Sequence, residues 1–149
     1  MAGTRFTFAG GGGSELTGHL EAPEGTPRGW AIFAHCFTCG KDSRAAVYIA
    51  RALSRAGIGV LRFDFAGTGL TSAADEEVSF ASDVDDLRAA AKAMAAAGMP
   101  PALLVGHSLG GTAAIVAAAA LPDVAAVVTI GAPADLQHIL RVFRPGDLD

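Results

Sequence analysis

In this 149-residue chain, Gly106-His107-Ser108-Leu109-Gly110-Gly111 is the segment whose residue types and spacing point most directly to chemistry. A serine with glycines two residues away on either side suits a nucleophile held on a sharp turn. Glycine has no Cβ, so the backbone before and after the serine can approach closely. The apolar run Ala102–Gly106 reads as a buried strand, and the alanine-rich stretch from Ser108 to about Ala120 as a helix. The serine then stands at a strand-to-helix junction. There the helix N-terminus aims partial positive charge and N–H groups at the reacting centre. A phosphate loop is excluded, because no Gly-Lys-Ser/Thr follows.

A second segment with chemical potential is His35-Cys36-Phe37-Thr38-Cys39, at the end of the apolar run Trp30–His35. Its C-x-x-C spacing at a strand-to-helix junction admits a thiol–disulfide reading, since a helix dipole lowers a thiol pKa. The plain alternative is that both cysteines are small buried hydrophobes. Two cysteines are too few for a disulfide framework. Of the other histidines, His19 lies on an early strand and His107 should turn away from the neighbouring hydroxyl. Asp75-Glu76-Glu77 and Asp83-Asp85-Asp86 read as a solvated cap at a helix start, not as a metal site.

The elements that must position these residues follow from periodicity. Arg5–Phe8 and Glu15–Leu20 are expected as strands joined by a turn in the glycine-rich run Ala9–Gly13. Trp30–His35 suits a strand buried on both faces. Asp42 or Ser43 caps a helix with Ala46, Ile49, Ala50 and Leu53 on one face, stopped by Gly57. A strand at Gly59–Phe65 follows, then a helix with Phe80, Val84, Leu87, Ala91 and Met94 on its apolar face, ending at Gly98. After the serine-bearing helix come a strand at Ala125–Ile130 and a helical turn from about Asp135. Strands alternating with helices predict an α/β fold, doubly wound on a mainly parallel sheet, in one domain over residues 1–149.

Composition narrows the function classes. Half the residues are hydrophobic and 17% are charged, which excludes disorder, and the net charge of −4 is scattered. No basic stripe points to nucleic acid, and no apolar run is long enough to cross a membrane. The N-terminus shows no secretory pattern, so a cytoplasmic protein without cofactor or metal is the expectation.

The elbow sequence, the His35-Cys36-Phe37 turn and Asp64-Phe65-Ala66-Gly67-Thr68-Gly69 together resemble the α/β-hydrolase superfamily. The resemblance implies that the N–H groups of Phe37 and Leu109 form an oxyanion hole and that the Asp64 turn is architectural. Cys36 departs from the superfamily, which usually has glycine there. Phe33–Cys39, Leu61–Phe65, Gly106–Gly111 and Ile130–Asp135 resemble a narrower subgroup, bacterial hydrolases fused to an OsmC-like peroxide-reducing domain. By the same resemblance the acid and histidine of the triad follow later strands, so the fold is expected to be truncated after about strand six. Asp135, after that strand, is a candidate acid, and His138 lies too close to it to serve as the usual histidine. His35 is expected to organise its loop.

The implied function is serine hydrolysis of a small-molecule ester or acyl substrate by Ser108, with the triad base absent from this chain. A non-catalytic binding module and a C-x-x-C redox protein are the alternatives. Ala125–Ile130 is expected to be an exposed apolar edge, suited to a homodimer or to a completing chain.

Overall fold

Alternating apolar residues and glycine-marked turns build one six-stranded sheet in the computed structural model, which describes residues 3–36, 40–66, 73–135 and 137. The strands are β1 (Thr4–Ala9), β2 (Glu15–Glu21), β3 (Gly29–Ala34), β4 (Ile58–Phe63), β5 (Leu103–His107) and β6 (Ala126–Ile130). The helices are α1 (Arg44–Arg55), α2 (Ala73–Ala96) and α3 (Leu109–Ala118). Strand order is β1-β2-β4-β3-β5-β6. The first two strands join β4 antiparallel, and β4, β3, β5 and β6 run parallel.

The six expected strands and three expected helices are present with shifted ends, while the helical turn expected from about Asp135 lies largely outside the described residues. The glycine run turns β1 into β2 through Gly10 N–H to Ser14 O at 2.8 Å, with Gly13 at φ 90°. Ser43 is the helix cap, its hydroxyl accepting from Ala46 N–H at 3.3 Å. β3 stops at Ala34, short of the expected His35, and β4 at Phe63, short of Phe65. At the end of β4, Phe65 N–H donates to His35 Nε2 at 3.4 Å and so serves the site, not the ladder.

Side chains alternate across the sheet, so successive strand residues feed two cores. Leu61 and Phe63 of β4 pack with Leu87 and Met94 of α2 and Ala113 and Ala117 of α3. Val60 packs on the other face with Ala46 and Ala50 of α1. From β3 the chain winds one way to β4, then returns to β5 on the other side. Strand order reverses there, and in such sheets the crevice beyond the strands' carboxyl ends is where ligands bind. His35 and Ser108 stand at those two ends.

The acidic stretch in α2 corrects the sequence reading. Asp86 is fully buried and Asp83 nearly so, at 8% exposure; of Asp83, Asp85 and Asp86, Asp85 alone keeps the expected solvated character. Asp86 accepts N–H bonds from Gly11 at 2.9 Å and Ala66 at 3.0 Å. It thereby ties the β1–β2 turn to the segment leaving β4. α2 begins at Ala73, which places Asp75-Glu76-Glu77 inside the helix.

Burial, helped by the Asp86 charge, raises the Asp83 pKa to about 7. A carboxyl with a raised folded pKa holds its proton more tightly folded than unfolded. Its stabilising contribution is therefore complete below the unfolded value of 3.8 and lost as pH rises to about 7. Asp83→Asn is expected to stabilise the fold by about 2 kcal/mol at pH 8 and by almost nothing at pH 4. Urea midpoints at the two pH values check this, and an equal gain at both would contradict it.

Along β6 the edge is open, as expected: Val128 is 48% and Ile130 41% exposed. Ile115 and Val116 on α3 are exposed as well. No helix among the described residues is long and apolar enough to cross a membrane.

Candidate active site

Ser108 adopts φ 54° and ψ −124°, and among the described residues it alone has positive φ without being glycine. L-residues avoid this region, so surrounding contacts must hold it there. Ser108 N–H donates to Ile130 O at 2.8 Å, and Ser108 O accepts from Gly111 N–H at 2.9 Å. Its side chain makes no cap hydrogen bond to α3, which leaves the hydroxyl out of helix capping.

The glycines of the elbow are required by close approach. A Cβ on Gly106 would strike the backbone of Gly110 and Gly111, and one on Gly110 would strike the carbonyls of Ala34 and His35. Backbone cannot swing aside as a side chain can, so the turn from β5 into α3 closes only with glycine at both places. Leu109, buried, is the first residue of α3, and N–H groups of a helix's first turn point outward without intrahelical partners. Thr112 Oγ1 donates to Pro133 O at 2.7 Å and fixes the segment after β6 against α3.

The opposite wall is the exit of β3. His35, 3% exposed, has Nδ1 2.7 Å from Cys36 O, and its Nε2 accepts from Phe65 N–H. Burial lowers its pKa, against smaller opposing effects of the Cys36 hydrogen bond and the Asp64 charge. A neutral ring with its proton on Nδ1 satisfies both contacts at once. His35 is thus a strut between two turns, with both ring nitrogens engaged.

Beyond residues 37–39 the chain is pinned again. Lys41 N–H donates to Asp64 Oδ1 at 2.7 Å, and Lys41 Nζ lies 3.4 Å from Asp64 Oδ2. Buried Arg62 donates to Lys41 O and to Asp42 Oδ1, and pairs with Glu21 at 3.2 Å. The architectural reading of Asp64 thus gains a physical content: it holds the return of the loop that leaves β3. The Arg62 anchor was not foreseen, because an arginine within an apolar strand carries no local mark of its partners.

The structure brings Ser108, Leu109 and His35 to one end of the sheet. Phe37 and His138 lie outside the described residues. His19 sits on β2, three strands from β5, beside Glu21 at 3.5 Å. His107 closes β5 opposite Ile130. Asp135 is exposed, and its Oδ1 accepts from Gln137 N–H at 2.9 Å. No group of three or more metal-ligating side chains occurs among the described residues.

This geometry has counterparts. Residues 31–149 match the family model described as alpha/beta hydrolase fold. The chain belongs to the α/β-hydrolase family. A solved esterase domain from a Rhodothermus marinus protein is 44% identical, with a TM-score of 0.75, covering 93% of this chain and 54% of its own. A dienelactone hydrolase from Anabaena variabilis is 27% identical, with a TM-score of 0.72, covering 94% of this chain and 68% of its own. An α/β hydrolase from Penicillium, 21% identical with a TM-score of 0.73, covers 95% of this chain and 52% of its own, and shows the shared fold alone. This α/β hydrolase thus spans about half the length of the Rhodothermus domain. None of the proteins with curated functions matches it.

Proposed function

We propose that this α/β-hydrolase chain carries the nucleophile of a serine hydrolase that cleaves a small-molecule ester or related acyl bond. The observation that carries the reading is Ser108 held at φ 54° on the turn between β5 and α3, at the switch point of the sheet. Ser108 Oγ attacks the acyl carbonyl, and the N–H groups of Leu109 and Phe37 take the developing oxyanion. One such donor contributes about 3–4 kcal/mol to the transition state. The similarity to an esterase domain and a dienelactone hydrolase supports acyl chemistry. The Phe33–Cys39 and Ile130–Asp135 segments support the narrower kinship with hydrolases fused to OsmC-like domains.

A base must take the Ser108 proton. His19 is three strands away and His35 has both ring nitrogens committed, so the triad histidine comes from sequence or a chain beyond β6. Asp135, just after β6, is the candidate acid. A fluorophosphonate probe tests the reading. An adduct on the Ser108 peptide supports it. Modification at cysteine favours the redox alternative, and no adduct favours a binding module.

The open β6 edge supplies the other part of this proposal. Among the described residues β6 has a neighbouring strand on one side only, and with its exposed Val128 and Ile130 it forms a template for a second copy or for a completing segment. Light scattering should show association that rises with concentration and falls in Val128→Lys. A stable monomer at high concentration would show the edge to be covered from within.

A further inference from the structure

Basic residues that stand apart in the sequence of α1 are gathered by its helical turn. At 3.6 residues per turn, Arg44, Tyr48, Arg51 and Arg55 fall within an arc of about 60° and run along the helix for about 16 Å. All four are exposed, and their arc lies opposite Ala46 and Ala50, which α1 buries against the sheet. Arg28 extends the ridge beyond the helix, its guanidinium donating to Ala56 O at 3.1 Å. Tyr48, 62% exposed, is the one exposed large apolar side chain of α1. The helix holds no carboxylate, and none of its arginines is in an ion pair with a described residue. This arrangement works against α1 itself. Arg44 opens the helix, where the dipole repels a cation, and Arg51 and Arg55 repel each other one turn apart. The hydrolase reading makes no use of this face.

We propose that this ridge docks an acidic helix of a partner protein. Its steps of four, three and four residues are the spacing by which one helix lies along another. A partner helix with carboxylates at matching positions therefore meets each arginine in turn. The guanidinium forks pair with carboxylates, and Tyr48 between them supplies a rigid apolar contact. Arginine and tyrosine are also residue types that dominate interface energies. Opposite charge laid on the ridge relieves the repulsion that α1 carries when free. Phosphate polymers and anionic lipid fit less well. The chain's net charge of −4 opposes both, and a helix lying on a membrane needs an apolar band where the outer face of α1 has Tyr48. Docking here does not depend on Ser108 being a nucleophile.

The probe is a dye-labelled synthetic helical peptide with glutamate at i, i+4, i+7 and i+11, titrated with the full chain by fluorescence anisotropy at low salt. A Kd of about 10–100 μM is expected, in keeping with a small charged contact. A peptide of the same composition with its glutamates spread around the helix should bind at least about tenfold more weakly. Arg51→Glu combined with Arg55→Glu should cost at least about tenfold, and Tyr48→Ala about fivefold with no change of charge. Arg51→Gln should weaken docking while leaving the urea midpoint of the free chain unchanged or raised, which separates docking from folding. Equal affinity for the two peptides, or docking that survives these substitutions, would reduce the ridge to general charge attraction and overturn the proposal. No binding at about 0.3 mM chain would overturn it as well. Tighter binding of a DNA duplex or of phosphatidylserine vesicles, lost in the same variants, would replace it with phosphate recognition.

Discussion

Asp86→Ala is expected to destabilise the fold by about 3 kcal/mol at pH 8, because it strips partners from two part-buried backbone N–H groups at once. Each abandoned donor costs about 1–3 kcal/mol, partly offset by relief of the Asp86 charge, which after burial is the smaller cause of the raised Asp83 pKa. Gly11 sits in the β1–β2 turn and Ala66 beside the Phe65 amide that meets His35, so the loss reaches both the sheet edge and the site. Asp86→Asn keeps one accepting oxygen and should lose about half as much. The two acids also predict a coupling. In the Asp86→Ala background, Asp83→Asn should gain less than in the native chain, because its repulsive neighbour is gone. Urea midpoints with unchanged slopes measure all three, and a change within about 0.5 kcal/mol for Asp86→Ala would contradict the account.

That result bears on what a sequence can disclose. The frame was legible because its signals are local: the 3.6-residue spacing of Ala46, Ile49, Ala50 and Leu53, and the continuous apolar runs of β3 and β5. The elbow was legible for a similar reason, since the glycines that permit the turn stand within two residues of Ser108. Asp83 and Asp86 were misread because a carboxylate in a first helical turn is ordinarily solvated. Nothing nearby reveals that the partners of Asp86 are amides 75 and 20 residues away. The Arg62 and Asp64 anchors of Lys41 are non-local in the same way, 21 and 23 residues apart in sequence. The end of β4 was overestimated because apolar character continues through Phe65 after the ladder stops. Phe65 spends its N–H on His35, and its ring packs 4.8 Å from the histidine's.

Ser108→Ala should lower any esterase activity at least about 10³-fold, the scale on which serine nucleophiles are missed once the rest of the site remains. The fold should survive, because the hydroxyl caps nothing in α3 and the turn is held through backbone bonds to Ile130 and Gly111. Alanine tolerates φ 54° no better than serine, so the variant inherits the same strain and isolates the hydroxyl. The direct measurement is turnover of a nitrophenyl ester by the purified native chain and by Ser108→Ala, with matched circular dichroism and urea midpoints. The account predicts that the native chain turns the ester over once the segment or partner that carries the triad histidine is supplied, and that Ser108→Ala under the same conditions gives only the background rate. Undiminished turnover by a well-folded Ser108→Ala sample would contradict the assignment of Ser108 as the nucleophile.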